Sequence, residues 1–104
     1  MAQYDVYPNP SNSKKDGIPY VIVVQSDLLD SLATRLVIPL AALNFAGKAP
    51  AALCPRISVN GQHFYALAHY VAPLPSKQLR SPVDNVLAQS SLLVAALDAV
   101  LAGV

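Results

Sequence analysis

The chain has 104 residues, 54% of them hydrophobic and 12% charged, well under the usual charged share of about 25%. One domain over residues 1–104 is expected from that length, and so apolar a chain has more nonpolar surface than a small monomer hides, which favours self-association. Seven basic against six acidic residues leave a formal charge of +1, too weak a field for a protein built to bind nucleic acid or a membrane surface.

Tyr4 and Val6 alternate with Asp5 and Tyr7 in a short first strand predicted to end at Pro8. Met1 to Tyr7 carries Asp5 and no apolar run, so no signal peptide is expected. From Pro8 to Gly17 the chain is polar and proline-bearing, which predicts a mobile loop carrying Lys14 and Lys15. Tyr20 to Val24 is rich in β-branched residues and reads as a buried central strand, broken by Gln25-Ser26-Asp27. Arg35 to Ile38 predicts a third strand stopped by Pro39, and the Ala-rich stretch from Leu40 to Pro55 an irregular excursion. Arg56–Val59 and His63–Leu67 then predict a hairpin across Asn60-Gly61, a pair that favours the type I′ turn. His69 to Ala72 either continues that strand or forms a short one before Pro73.

The stretch from Ser81 to Val104 predicts one helix, with Ser81 as N-cap, Pro82 at the first helical position and Asp84 favouring the N-terminal dipole. Its apolar residues spread over most of the circumference and leave a thin wettable stripe of Asp84, Ala88, Ser91, Ala95, Asp98 and Ala102. A helix of that kind must be buried on more than one side. One side is expected on the domain core and another in a homodimer interface, with Val94, Leu97 and Val100 as its contributors. Asn85, Gln89, Ser90, Ser91 and Asp98 interrupt any span able to cross a bilayer, so no membrane role is expected. Some five strands followed by a helix make the chain mainly β, a small barrel or antiparallel sheet with a C-terminal α-helix.

Signals for catalysis are weak. His63 and His69, six residues apart in one strand, would lie about 20 Å from each other, too far to share a metal. Cys54 is the only cysteine, which excludes an intrachain disulfide and a cysteine zinc cluster and fits a reducing cytoplasm; before a proline in an apolar stretch it reads as a buried, inert thiol. Asp27 and Asp30 read as cap or turn residues. There is no phosphate-binding glycine loop, no Ser-His-Asp order and no basic-aromatic ribbon, so no catalytic residue, cofactor or metal is expected and the chain reads as one that acts by binding.

The order of the pieces resembles the CcdB family, the toxin component of a bacterial toxin–antitoxin pair. Gln3-Tyr4-Asp5-Val6-Tyr7, Tyr20 to Asp30, Arg35-Leu36-Val37-Ile38-Pro39-Leu40-Ala41, Pro55 before a strand and the final Leu101-Ala102-Gly103-Val104 carry the resemblance. It implies a homodimer of SH3-like barrels with a C-terminal helix that binds the GyrA subunit of DNA gyrase and traps the gyrase–DNA cleavage complex, with no catalytic residues of its own. The implied gyrase-contacting residues are Leu28, Leu29, Asp30, Asp98, Leu101, Ala102, Gly103 and Val104. An acidic, CcdA-like antitoxin is the implied second partner, with Lys14, Lys15 and Lys48 as its expected contacts. Where the family pattern carries Trp-Gly-Ile, this chain has Ala102-Gly103-Val104, and loss of a tryptophan hot spot costs about 2–4 kcal/mol of binding. Two alternatives stand beside this reading: a non-toxic CcdB-like interaction protein, and a MazF-like ribonuclease toxin drawing on Arg35, Arg56, His63 and His69.

Overall fold

The computed structural model describes residues 2–45, 47 and 50–102. Strands β1 (Asp5–Pro8), β2 (Tyr20–Val23) and β3 (Thr34–Ala41) form an antiparallel meander. A hairpin of β4 (Arg56–Val59) and β5 (Gln62–Ala66) follows, β6 (Ala72–Pro75) returns to β3, and β7 (Asp84–Asn85) pairs with β1. Helix α1 (Ser90–Ala102) completes the architecture. The pairing order is β4-β5-β3-β2-β1-β7, with β6 also on β3.

Side-chain alternation along the strands explains the core. Val6, Ile22, Ile38, Leu40, Ile57, Val59 and Phe64 gather on the concave face, and Leu93 and Ala96 of α1 close over them. Tyr20 and Phe64 meet edge to face there, 5.4 Å apart. On the opposite face Tyr7, Val21, Val23, Val37 and Leu79 form a second cluster, and Ile18, Ala41, Cys54 and Leu67 a third. Asn60 and Gly61 have φ of +49° and +83°, the paired positive values that a type I′ turn requires.

Pro39 does not stop β3, and the register shows why. The Val24 amide donates to the Leu36 carbonyl, so even-numbered residues of β3 bond to β2 and odd-numbered ones face the other neighbour. On that side β6 pairs with Thr34–Val37 and β5 with Leu40 and Ala41, and the missing Pro39 donor falls in the gap between them. The Pro39 carbonyl still accepts from the Leu67 amide at 2.9 Å. The same alternation runs through β6. Ala72 and Leu74 face β3, whereas Pro73 and Pro75 turn their missing donors to the free edge, which discourages extension by another strand. His69 accordingly lies outside any strand, in the 3₁₀ turn Ala68–Tyr70.

The ends of the sheet are drawn together by side chains into a nearly closed barrel. Ser58 is unbonded to β5 on its outward side, and the Gln89 amide occupies that edge as a substitute strand: the Ser58 amide donates to Oε1 at 2.9 Å and Nε2 donates to the Ser58 carbonyl at 2.8 Å. One turn further on, the Asn60 amide donates to the Asp84 carboxylate and the Asn60 side chain donates to the Val83 carbonyl, each at 3.0 Å.

The expected helix start is also corrected. The helix does not start at Ser81, whose φ is +38°; the free edge of β1 captures the following residues, with the Val83 amide donating to the Val6 carbonyl and the Val86 amide to the Tyr4 carbonyl. Tertiary pairing thus overrides a good capping sequence. Asn85 forms an Asx turn instead, its Oδ1 accepting from the Leu87 amide at 2.9 Å ahead of the 3₁₀ turn Leu87–Gln89 that leads into α1. The segment before β2 is also more regular than a plain loop. Ser11 caps a 3₁₀ helix from Asn12 to Asp16, Gly17 ends it in the left-handed region, and the buried Asn9 side chain donates to Ser13 Oγ and to the Ile18 carbonyl.

Candidate interaction surface

The turn after β2 carries the most exposed large apolar side chain among the described residues, Leu28. Ser26 caps a 3₁₀ turn, Asp27–Leu29, through its hydroxyl, and every residue from 27 to 34 is exposed. Leu28 is 92% exposed, with Leu29 and Leu32 each about half exposed beside it. Burying leucine is worth about 1.5–3 kcal/mol, which makes this group of open leucines a candidate contact surface.

This loop is held by polar side chains within it and beside it. Gln25 donates to the carbonyls of Leu29 and Thr34 and accepts from the Leu36 amide. Asp27 accepts from the Gln3 amide at 2.8 Å, and Asp30 lies 3.6 Å from Arg35 Nε. Asp27 therefore ties the turn to the N-terminal segment, Ser26 does the capping, and Asp30 serves as an ion-pair partner. At the foot of the loop, burial and then the Asp5 carboxylate push the Tyr7 hydroxyl above its usual pKa, while Arg35 pulls it the other way.

The second half of the expected surface rests on α1. Leu93, Ala96, Leu97 and Val100 face the core at helical spacing, which leaves Ser91, Ala95, Asp98 and Ala102 open, as the wettable stripe predicts. Leu101 is 82% exposed, and Leu92, Val94 and Leu87 also remain open. Val94, Asp98 and Leu101, spaced by four and three, share one face. Of the expected dimer residues, Leu97 and Val100 lie half-buried against the chain's own core and Val94 is open. Gly103, Val104 and Lys48 lie outside the described residues. Among those described, no hydrogen bond or ion pair joins residues 27–34 to α1, so the two patches have independent supports.

Lys14 and Lys15 are exposed on their 3₁₀ helix. Beside it lies an apolar hollow of about 120 Å³ on the outer face of the sheet, floored by Val21, Val37 and Pro39 and bordered by Ser11, Ser13 and Tyr70.

The residues that would serve an RNA-cleaving site do not all gather in one place, although Arg56 and His63 share one face of the β4–β5 hairpin, where His63 pairs with Ser58. Arg56 pairs with Tyr65, which faces Ala41, whereas Arg35 sits six residues along β3, about 20 Å away, with its guanidinium committed to backbone carbonyls. His69 Nδ1 is 3.9 Å from the buried Cys54 sulfur, and the His69 ring leans on Tyr70. Among the described residues no three metal-ligating side chains cluster, and no helix is long and apolar enough to cross a membrane. Leu32, Gln25 and the role of Arg35 were not legible in the sequence. The isolated Gln25 at the end of an apolar strand was the one available signal.

Fold and surface together define a small antiparallel barrel with a C-terminal helix that presents open leucines on a polar-braced loop and on the helix. Residues 3–103 match the family described as CcdB protein, and the chain belongs to the CcdB family, whose members are toxins of toxin–antitoxin pairs. No curated protein matches the chain.

Proposed function

We propose that the chain is a toxin that binds the GyrA subunit of DNA gyrase and traps the gyrase–DNA cleavage complex, working in the cytoplasm as a homodimer and neutralised by a CcdA-like antitoxin. The observation that carries this reading is the pair of open leucines, Leu28 and Leu101, on the two segments to which the family resemblance assigns gyrase contact. Leu29, Asp30, Asp98 and Ala102 complete the described part of that surface, and all are exposed. Gly103 and Val104 belong to it by sequence alone. Lys14 and Lys15, solvated and adjacent to an apolar hollow, suit an acidic segment that also brings a nonpolar side chain. A second copy of the chain would cover the helix residues that the barrel leaves open, Val94 first among them.

The test is gyrase chemistry itself. Purified protein incubated with DNA gyrase, supercoiled plasmid and ATP, then denatured and digested, is expected to yield linear DNA. Full supercoiling with no linear product at tens of micromolar protein rejects the poison reading, and RNA cleavage by the protein alone would favour the ribonuclease reading in its place.

A further inference from the structure

The loop that displays Leu28, Leu29 and Leu32 has no buried side chain of its own, since residues 27–34 are all exposed. None of these residues joins a core cluster, and Leu29 and Leu32 are each about half exposed, so hydrophobic packing does little to hold the loop in one shape. Its order comes from hydrogen bonds, and the largest share of its carbonyls is gathered by one residue. Arg35 is 7% exposed, and its guanidinium donates from Nη1 to the Leu32 and Thr34 carbonyls and from Nη2 to the Asp30 carbonyl. Nε has no hydrogen-bond partner and lies 3.6 Å from the Asp30 carboxylate. A buried cation with an unsatisfied N–H is an expensive way to stabilise a fold. Its planar fork does, however, reach several carbonyls at once, which a lysine ammonium at the end of a flexible stem does not reproduce.

We infer that Arg35 is the positioning residue of the partner-contacting loop: it fixes the Asp30–Thr34 backbone in the free protein so that Leu28, Leu29 and Leu32 are already in binding geometry. The inference rests on the reading that this loop meets gyrase. Pre-organisation of this kind raises affinity by removing the cost of ordering the loop on contact. The leucines supply the contact and Arg35 supplies its shape.

The test uses the full chain as wild type, Arg35→Ala, Arg35→Lys and Leu28→Ala. Each is titrated onto the GyrA dimerisation fragment by calorimetry, and each free protein is followed by hydrogen exchange. The amides of Leu28, Leu29, Asp30 and Leu32 are all hydrogen-bonded within the loop, so exchange reads its order directly. In both Arg35 variants those amides are expected to exchange at least about tenfold faster, with β2 and the β4–β5 hairpin unchanged, and affinity is expected to fall about ten- to a hundredfold. Millimolar methylguanidinium should restore part of the affinity of Arg35→Ala, a response that a generally loosened fold would not give. Arg35→Lys keeps the charge and the bulk, so it reports on the fork even where the alanine variant folds poorly. Wild-type affinity in the Arg35 variants, or unchanged loop exchange, overturns the inference while Leu28→Ala still reports on the gyrase reading. Failure of the wild type itself to bind overturns both.

Discussion

Leu28→Ala separates a binding surface from a structural one. Leu28 is 92% exposed and belongs to none of the three core clusters, so truncation removes almost nothing from the folded chain. The expected stability change is within about 0.5 kcal/mol, which for a domain of this size is a melting shift under about 4 °C. Binding responds differently, because nearly the whole side chain is available for burial. Its loss is expected to cost about 1.5–3 kcal/mol, or roughly ten- to 150-fold in Kd. Leu101, 82% exposed on α1, carries the same expectation. Because the two residues stand on separate supports, the double variant is expected to lose close to the sum of the two free energies. The assay is calorimetric titration onto the GyrA dimerisation fragment beside thermal unfolding of each variant. Affinity within twofold of wild type refutes the assignment of the loop to the interface. A melting drop well beyond 5 °C would mean instead that Leu28 is already buried, against a second copy of the chain.

Ala102→Trp places an aromatic side chain on the open stripe of α1, and is expected to tighten gyrase binding about thirty- to a thousandfold with little change in melting temperature; equal affinity in the titration would show that this position lies off the interface. Gln89→Ala removes both hydrogen bonds that substitute for a strand beside Ser58, each worth about 0.5–1.5 kcal/mol, so thermal unfolding is expected about 5–20 °C lower. The Tyr7 hydroxyl has its pKa raised in the folded chain by burial and by Asp5, so it favours folding below its ordinary value near 10 and that contribution is lost as pH rises through the folded value. Denaturant unfolding of Tyr7→Phe should therefore decline less than wild type over that alkaline range, and parallel curves would contradict this.

Strands were legible where composition alone decides them. Tyr20–Val24 and the Asn60-Gly61 hairpin needed no partner to declare themselves. Prolines misled because their cost depends on which edge the missing N–H faces, and that is a property of register: Pro39 ends no strand, and Pro73 and Pro75 sit inside one. Ser81-Pro82-Val83-Asp84 had every local mark of a helix start, and lost to an unpaired β1 edge that no local pattern reveals. The site divides the same way. Periodicity placed Ser91, Ala95, Asp98 and Ala102 on the open face of α1, yet the exposure of Leu28 and Leu101 depends on what the barrel leaves uncovered. The grip of Arg35 on backbone carbonyls left no trace, because any sequence supplies carbonyls.

The central claim is that the Leu28 loop and the outer face of α1 form one surface for gyrase. Hydrogen exchange of the chain, alone and saturated with the GyrA dimerisation fragment, tests it most directly. Protection is expected in residues 26–34 and 94–102, with the β4–β5 hairpin unaffected. Saturating fragment that leaves both segments exchanging as in the free protein would contradict the account.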